Sequence, residues 1–119
     1  MNRKLRGSVG EALALKWLKK KGYTPLGMGY RTRFGEIDLI VKNNEYIVFV
    51  EVKLRKDSRF AEGREFVGAV KQERLRKTAG QYLAENETDL QPRFYVIEIY
   101  APEGACEKDC VINHIENAF

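Results

Sequence analysis

GEIDLIVKNNEYIVFVEVKLR, residues 35–55, is the stretch whose reading decides the fold. Two apolar runs rich in β-branched residues flank Lys42-Asn43-Asn44-Glu45, whose asparagines tolerate positive φ, so the stretch reads as a β-hairpin. With Asn43 and Asn44 as the loop, Lys42 opposes Glu45, Asp38 opposes Phe49 and Glu36 opposes Glu51. Alternation puts Glu36, Asp38 and Ile40 on one face with Ile47, Phe49, Glu51 and Lys53. Ile37, Leu39, Val41, Tyr46, Val48, Val50 and Val52 take the other face. Both faces are largely apolar, the pattern of central strands covered by helices on both sides.

Residues 4 to 21 carry Leu5, Val9, Leu13 and Trp17 at helical spacing, and Gly22 is placed to close that helix. A second row, Glu11, Ala14, Leu15 and Leu18, sets one carboxylate on an apolar stripe. Residues 24 to 31 form a short strand that Pro25, Gly27 and Gly29 assign to a sheet edge or a bulge. After a basic, polar loop over 54–65, a helix from Phe66 to Asn86 shows Val67, Val70, Leu75, Ala79, Tyr82 and Leu83 on one face. Gln91-Pro92 breaks before the strand FYVIEIY, residues 94–100; a turn over Pro102 to Asp109 leads to a last strand, VINHI. Strand, long helix, strand is a crossover between parallel strands, expected to be right-handed. The expected fold is α/β: a mixed sheet of about five strands flanked by helices.

The chain has 119 residues, 44% hydrophobic and 32% charged, which suits one domain over residues 1–119. It has no apolar run of the ~18 residues that a membrane span needs and no signal peptide, so a cytoplasmic protein with no membrane partner is expected. The formal charge of +4 favours a polyanionic partner. Its cations come in groups, among them Arg31 and Arg33, then Arg55, Lys56, Arg59 and Arg64, then Lys71, Arg74, Arg76 and Lys77; solvated helix faces would give the same pattern. Cys106, Cys110 and His114 make a C-x3-C-x3-H run that fits a reduced thiol pair, a local disulfide or an open zinc site.

The hairpin's charges carry the chemistry. Asp38 and Glu51 are a diagonal cross-strand pair, ~7 Å apart or less, within reach of one shared ion. Two carboxylates at ~4 Å repel by roughly 4 kcal/mol at an effective dielectric of 20, so such a pair on an oily sheet needs a cation or a proton. Oxygen ligands that leave waters in place suit magnesium. Lys53 projects beside Glu51, where its ammonium either orients an attacking water and stabilises developing negative charge or forms a strand-end salt bridge. Glu11, on a helix that covers the sheet, would be costly to bury unpaired; it completes the cluster, accepts from Lys53, or is a solvated first-turn glutamate.

The E-x-K pair Glu51 to Lys53, preceded by Asp38 on a hairpin strand, resembles the PD-(D/E)XK nuclease superfamily. More narrowly, Gly10, Glu11, Ala14 and Leu18 in the first helix, then GEIDLI, VFVEVKLR, Lys71 and the ending NAF, resemble the YraN-like uncharacterised bacterial family over almost the whole chain. That family is similar in layout to archaeal Holliday-junction resolvases. The resemblance implies a restriction-endonuclease-like core, with Glu11, Asp38, Glu51 and Lys53 as the catalytic set. It further implies Asp38, Glu51, the Val52 backbone carbonyl and Glu11 around Mg²⁺ or Mn²⁺.

The sequence departs from the family's pattern at three points. Ile37 replaces the proline of the superfamily's name, Gly29 stands where the family often has asparagine, and Tyr95 where it typically has aspartate. Lys71 either reaches the site to hold a phosphate or snorkels to solvent. Glu36 supports the ligands or serves a second metal. The leading expectation is a metal-dependent endonuclease acting on DNA, in which Arg31, Arg33, Arg55, Lys56, Arg59, Arg64 and Lys71 grip the backbone; branched DNA and a homodimer follow by analogy with resolvases. The rivals are a non-cleaving nucleic-acid-binding module on the same fold and a structural assembly factor.

Overall fold

Apolar residues on both faces of the hairpin demand two covering layers, and two helices supply them. The computed structural model describes residues 3–55, 68–100, 111–116, 118 and 119, without the side chains of 3–8 and 55. The element order is α1 (Arg3–Lys20), β1 (Thr24–Thr32), β2 (Gly35–Lys42), β3 (Tyr46–Arg55), α2 (Ala69–Glu85), β4 (Gln91–Tyr100) and β5 (Val111–Ile115). Among the described residues the strands form one sheet in chain order; β3 and β4 are parallel across α2, and the other neighbours are antiparallel. This is the expected α/β mixed sheet, consistent with a restriction-endonuclease-like core. No helix among the described residues is long and apolar enough to cross a membrane.

α1 covers one face. Ala14 and Leu18 are fully buried and pack with Leu39, Val41, Val48, Val50, Tyr95, Ile97 and Ile99. The inward row of α1 is therefore Gly10, Ala14 and Leu18, whereas Val9 is exposed. α2 covers the other face with Leu75 and Ala79 against Ile40, Ile47, Phe49 and Val96. Its inward row runs Lys71, Leu75, Ala79. Val70, expected to be inward, lies outside at 67% exposure, because the i, i+4 row through Leu75 leaves it on the far side.

Further expectations are corrected in the strands. The hairpin register is offset by two residues: Lys42 opposes Ile47 and Ile40 opposes Phe49. The cause is Asn43, whose Oδ1 accepts from the amides of Glu45 (2.9 Å) and Tyr46 (2.7 Å), moving the reversal onto Asn44 and Glu45. An even offset preserves which side chains share a face, so the two-layer reading survives. Ile37 is the exception, since it packs with Ile40 under α2. Beyond Leu39 and Val50 the pairing of β2 with β3 stops, and the end of the β1–β2 hairpin curls onto α2, where the Thr32 and Thr78 hydroxyls meet at 3.3 Å. Finally, Pro92 lies within β4 rather than before it, opposite Ile47. The Gln91 amide donates to the carbonyl of Glu45, just before β3, so Pro92, one residue on, turns its missing donor away from that strand; β5 joins only at Val96.

β1 is the edge strand expected, with a bulge between Pro25 and Gly27. Gly29 sits at φ +65°, in the left-handed region that admits glycine and asparagine at low cost.

Candidate metal and phosphate site

The carboxylates gather where β2 and β3 part. Pairing stops at Leu39 and Val50, and Asp38 and Glu51 are the next residues on each side of that parting. In place of a ladder bond, Asp38 Oδ2 accepts from the Val52 amide at 2.8 Å. A strand residue points its N–H and C=O to the same side, so the Val52 carbonyl also faces this gap.

Glu11 arrives from α1. A Cβ built on Gly10 would lie 3.4 Å from the Leu54 Cβ and 3.7 Å from the Val52 Cγ1, so glycine here lets the helix settle onto β3. The next residue, Glu11, then comes within reach of Asp38, where a hydrogen bond between the two carboxyls would need a proton on one of them. Burial pushes the Asp38 carboxyl up to about 7; the neighbouring Glu51 charge adds to the rise, the Val52 amide opposes it, and Glu11 and Glu36 raise it further. Glu11 is raised too, by burial first and then by the Glu36 and Glu51 charges. Neighbouring negative charge thus depresses the ionisation of Asp38 and Glu11.

Glu51 is 8% exposed and takes a hydrogen bond from the Lys71 ammonium at 2.9 Å. Of the two readings open for Lys71, reach and snorkelling, its geometry is reach. Lys53 shares the Glu51 face on β3, and its partner position in β4 is Glu98, 1% exposed. Glu98 accepts from Asn113 Nδ2 at 3.2 Å and from the Tyr100 hydroxyl at 3.5 Å. Sequence reading passed over Glu98, although its anomaly, a charge inside the apolar run FYVIEIY, is the one that flagged Glu51.

Glu36 stands at the rim, paired with Arg31 at 3.1 Å, both exposed. Arg33 lies beyond it on the turn into β2. Lys56, Arg59, Arg64, the Arg55 side chain, Cys106 and Cys110 lie outside the described residues. His114 is on the α1 face, against Tyr95, and its Nδ1 accepts from the Trp17 indole at 3.2 Å. Burial lowers its pKa. Tyr95 is likewise on the α1 face, with its hydroxyl 2.8 Å from that of Tyr23. Tyr95 thus pairs its polar group on the side of the sheet opposite Glu51.

The donor set, carboxylates plus a carbonyl, is the hard oxygen set that Mg²⁺ and Mn²⁺ take. As placed, no three His, Cys, Asp or Glu side chains among the described residues stand as a ready cation cage. The Lys71–Glu51 bond occupies one of those donors, so it must give way for an ion to enter.

A model of the uncharacterised protein family UPF0102 matches residues 10–99. Curated relatives carry the same family name. The chain is 48% identical to a UPF0102 protein of Alkaliphilus oremlandii, with the whole of both chains covered. It is 45% identical to one from Caldanaerobacter subterraneus, covering all of this chain and 98% of the relative. One from Acetivibrio thermocellus is 40% identical, over 99% of this chain and 93% of the relative.

Proposed function

The chain belongs to the uncharacterised protein family UPF0102, and from its carboxylate cluster we propose a metal-dependent endonuclease of the PD-(D/E)XK kind that hydrolyses DNA phosphodiester bonds. One observation carries the reading. Asp38, held by the Val52 amide at 2.8 Å, and Glu51, held by Lys71 at 2.9 Å, flank the parting of β2 and β3, and burial with neighbouring negative charge raises Asp38 and Glu11, a repulsion that a divalent cation would relieve.

Asp38 and Glu51, with the Val52 carbonyl and Glu11, would hold Mg²⁺ or Mn²⁺. When bound, the ion supplies a more acidic water and charge to shield the phosphate. Lys53 orients that water or stabilises the charge that develops on the scissile phosphate. Lys71, released from Glu51, meets a phosphate oxygen instead. Arg31 and Arg33 position the backbone, while Glu36 holds Arg31 in place. Cutting both strands of a branched substrate calls for two copies of such a site.

The test is a panel of linear, single-stranded, flapped and four-way DNA, together with RNA, incubated in Mg²⁺, Mn²⁺ and EDTA. Cleavage that requires metal and is lost in Asp38→Ala, Glu51→Ala and Lys53→Ala supports the reading. A second reading, a non-cleaving module on the same fold, is favoured by the Lys71–Glu51 bond, which neutralises a ligand without any metal. It predicts binding that survives all three substitutions and no cleavage in any lane.

A further inference from the structure

A groove of about 740 Å³ separates the turn between β1 and β2 from α2. Arg31, Arg33, Arg74 and Lys77 line it against two carboxylates, Glu36 and Glu73, so it carries net positive charge. Glu73 is held by Lys77 at 3.5 Å and Glu36 by Arg31, whereas neither Arg33 nor Arg74 is in a salt bridge among the described residues. Apolar groups sit between these cations. Phe34 lies in the wall with Arg33 4.9 Å and Lys77 5.7 Å from its ring centre, and Val70 is 67% exposed across from it. A second hollow shares Phe34, Glu36, Val70 and Arg74 and extends to Lys71, the residue bonded to Glu51. The groove thus leads from the carboxylate cluster to an aromatic ring set among cations.

We propose that this groove is a single-strand subsite, with Phe34 as the platform on which an unpaired base stacks and Arg33, Arg74 and Lys77 as contacts to the flanking phosphates. The inference rests on the nuclease reading and narrows its substrate class to DNA with unpaired nucleotides beside the cut. Aromatic rings among cations are the chemistry of sequence-tolerant single-strand binding, because every base offers a π face. Inside a duplex both faces of a base are already stacked, so duplex DNA would engage only the cations. The cation–π contacts of Arg33 and Lys77 with Phe34 are exposed and weak, so a base displaces them and its phosphates retain the same charges.

The experiment is fluorescence anisotropy of the full chain with a labelled oligothymidylate and with a blunt two-strand duplex, both in EDTA so that cutting plays no part. Phe34→Leu is expected to weaken oligothymidylate binding about tenfold and leave the duplex unchanged, with Phe34→Trp restoring affinity. Arg74→Gln is expected to weaken both ligands alike and to lower the salt slope by about one. Circular dichroism melts of each variant separate a folding defect from a loss of stacking. Equal affinity of wild type and Phe34→Leu for oligothymidylate, equal losses on both ligands, or no binding by wild type overturns the proposal. A single-strand preference in EDTA with no cleavage in Mg²⁺ would sustain the subsite and remove the nuclease; Mg²⁺-dependent cleavage untouched by Phe34→Leu would do the reverse.

Discussion

Asp38→Asn is expected to stabilise the metal-free protein at alkaline pH while ending its response to magnesium. The Asp38 carboxyl rises from its ordinary 3.8 to about 7 in the folded chain, chiefly through burial and the Glu51 charge. Between those two values the folded chain holds a proton that the unfolded chain has lost, so stability falls as pH rises from about 4 to about 7 and is level above that. At ~1.4 kcal/mol per unit the full shift is worth roughly 4 kcal/mol, and partial solvent screening of this half-buried group reduces it to about 2. Asparagine removes that slope. Its carbonyl still accepts from the Val52 amide and its NH₂ donates to Glu11, so no buried partner is orphaned.

For a chain of this length ~2 kcal/mol corresponds to about 8 °C in Tm. Scanning calorimetry in EDTA is expected to find wild type and Asp38→Asn equal near pH 4 and separated by about that amount at pH 8. Mg²⁺ at about a hundredfold over its Kd stabilises wild type at pH 8 by roughly 2.7 kcal/mol and leaves the variant unmoved. A variant less stable than wild type at pH 8 in EDTA, or equal rises in Tm on adding Mg²⁺, would refute the account of Asp38 as a charge held in place for a cation.

Lys71→Met removes the cation that competes for Glu51, so titration calorimetry is expected to show tighter Mg²⁺ binding in the absence of DNA, together with slower single-turnover cleavage. Gly29→Asn is expected to cost well under ~1 kcal/mol and Gly29→Val about 2 in urea unfolding, because φ +65° excludes a β-branched side chain. Tyr23→Phe and Tyr95→Phe each lose the hydroxyl pair and about 1 kcal/mol, with the double variant losing less than the sum; metal binding stays as in wild type, since the pair lies on the α1 side of the sheet.

The two-layer α/β plan, the parallel crossover and the shared face of Glu51, Lys53 and Phe49 were all legible in the sequence. Side-chain alternation and helical spacing are local, and a register error of two residues leaves them intact. Asp38 and Glu51 drew notice because charge on an apolar strand has a desolvation cost that something must offset. Which partner does so was settled only by tertiary structure. Asn43 could cap the turn in more than one way, and its choice of the Glu45 and Tyr46 amides set the register of β2 on β3. The parting of β2 from β3, Ile37 turning under α2, Glu11 meeting Asp38 and Lys71 meeting Glu51 all arise from helices settling on opposite faces of a twisted sheet. These pairings join residues distant in the chain, and no local periodicity encodes them.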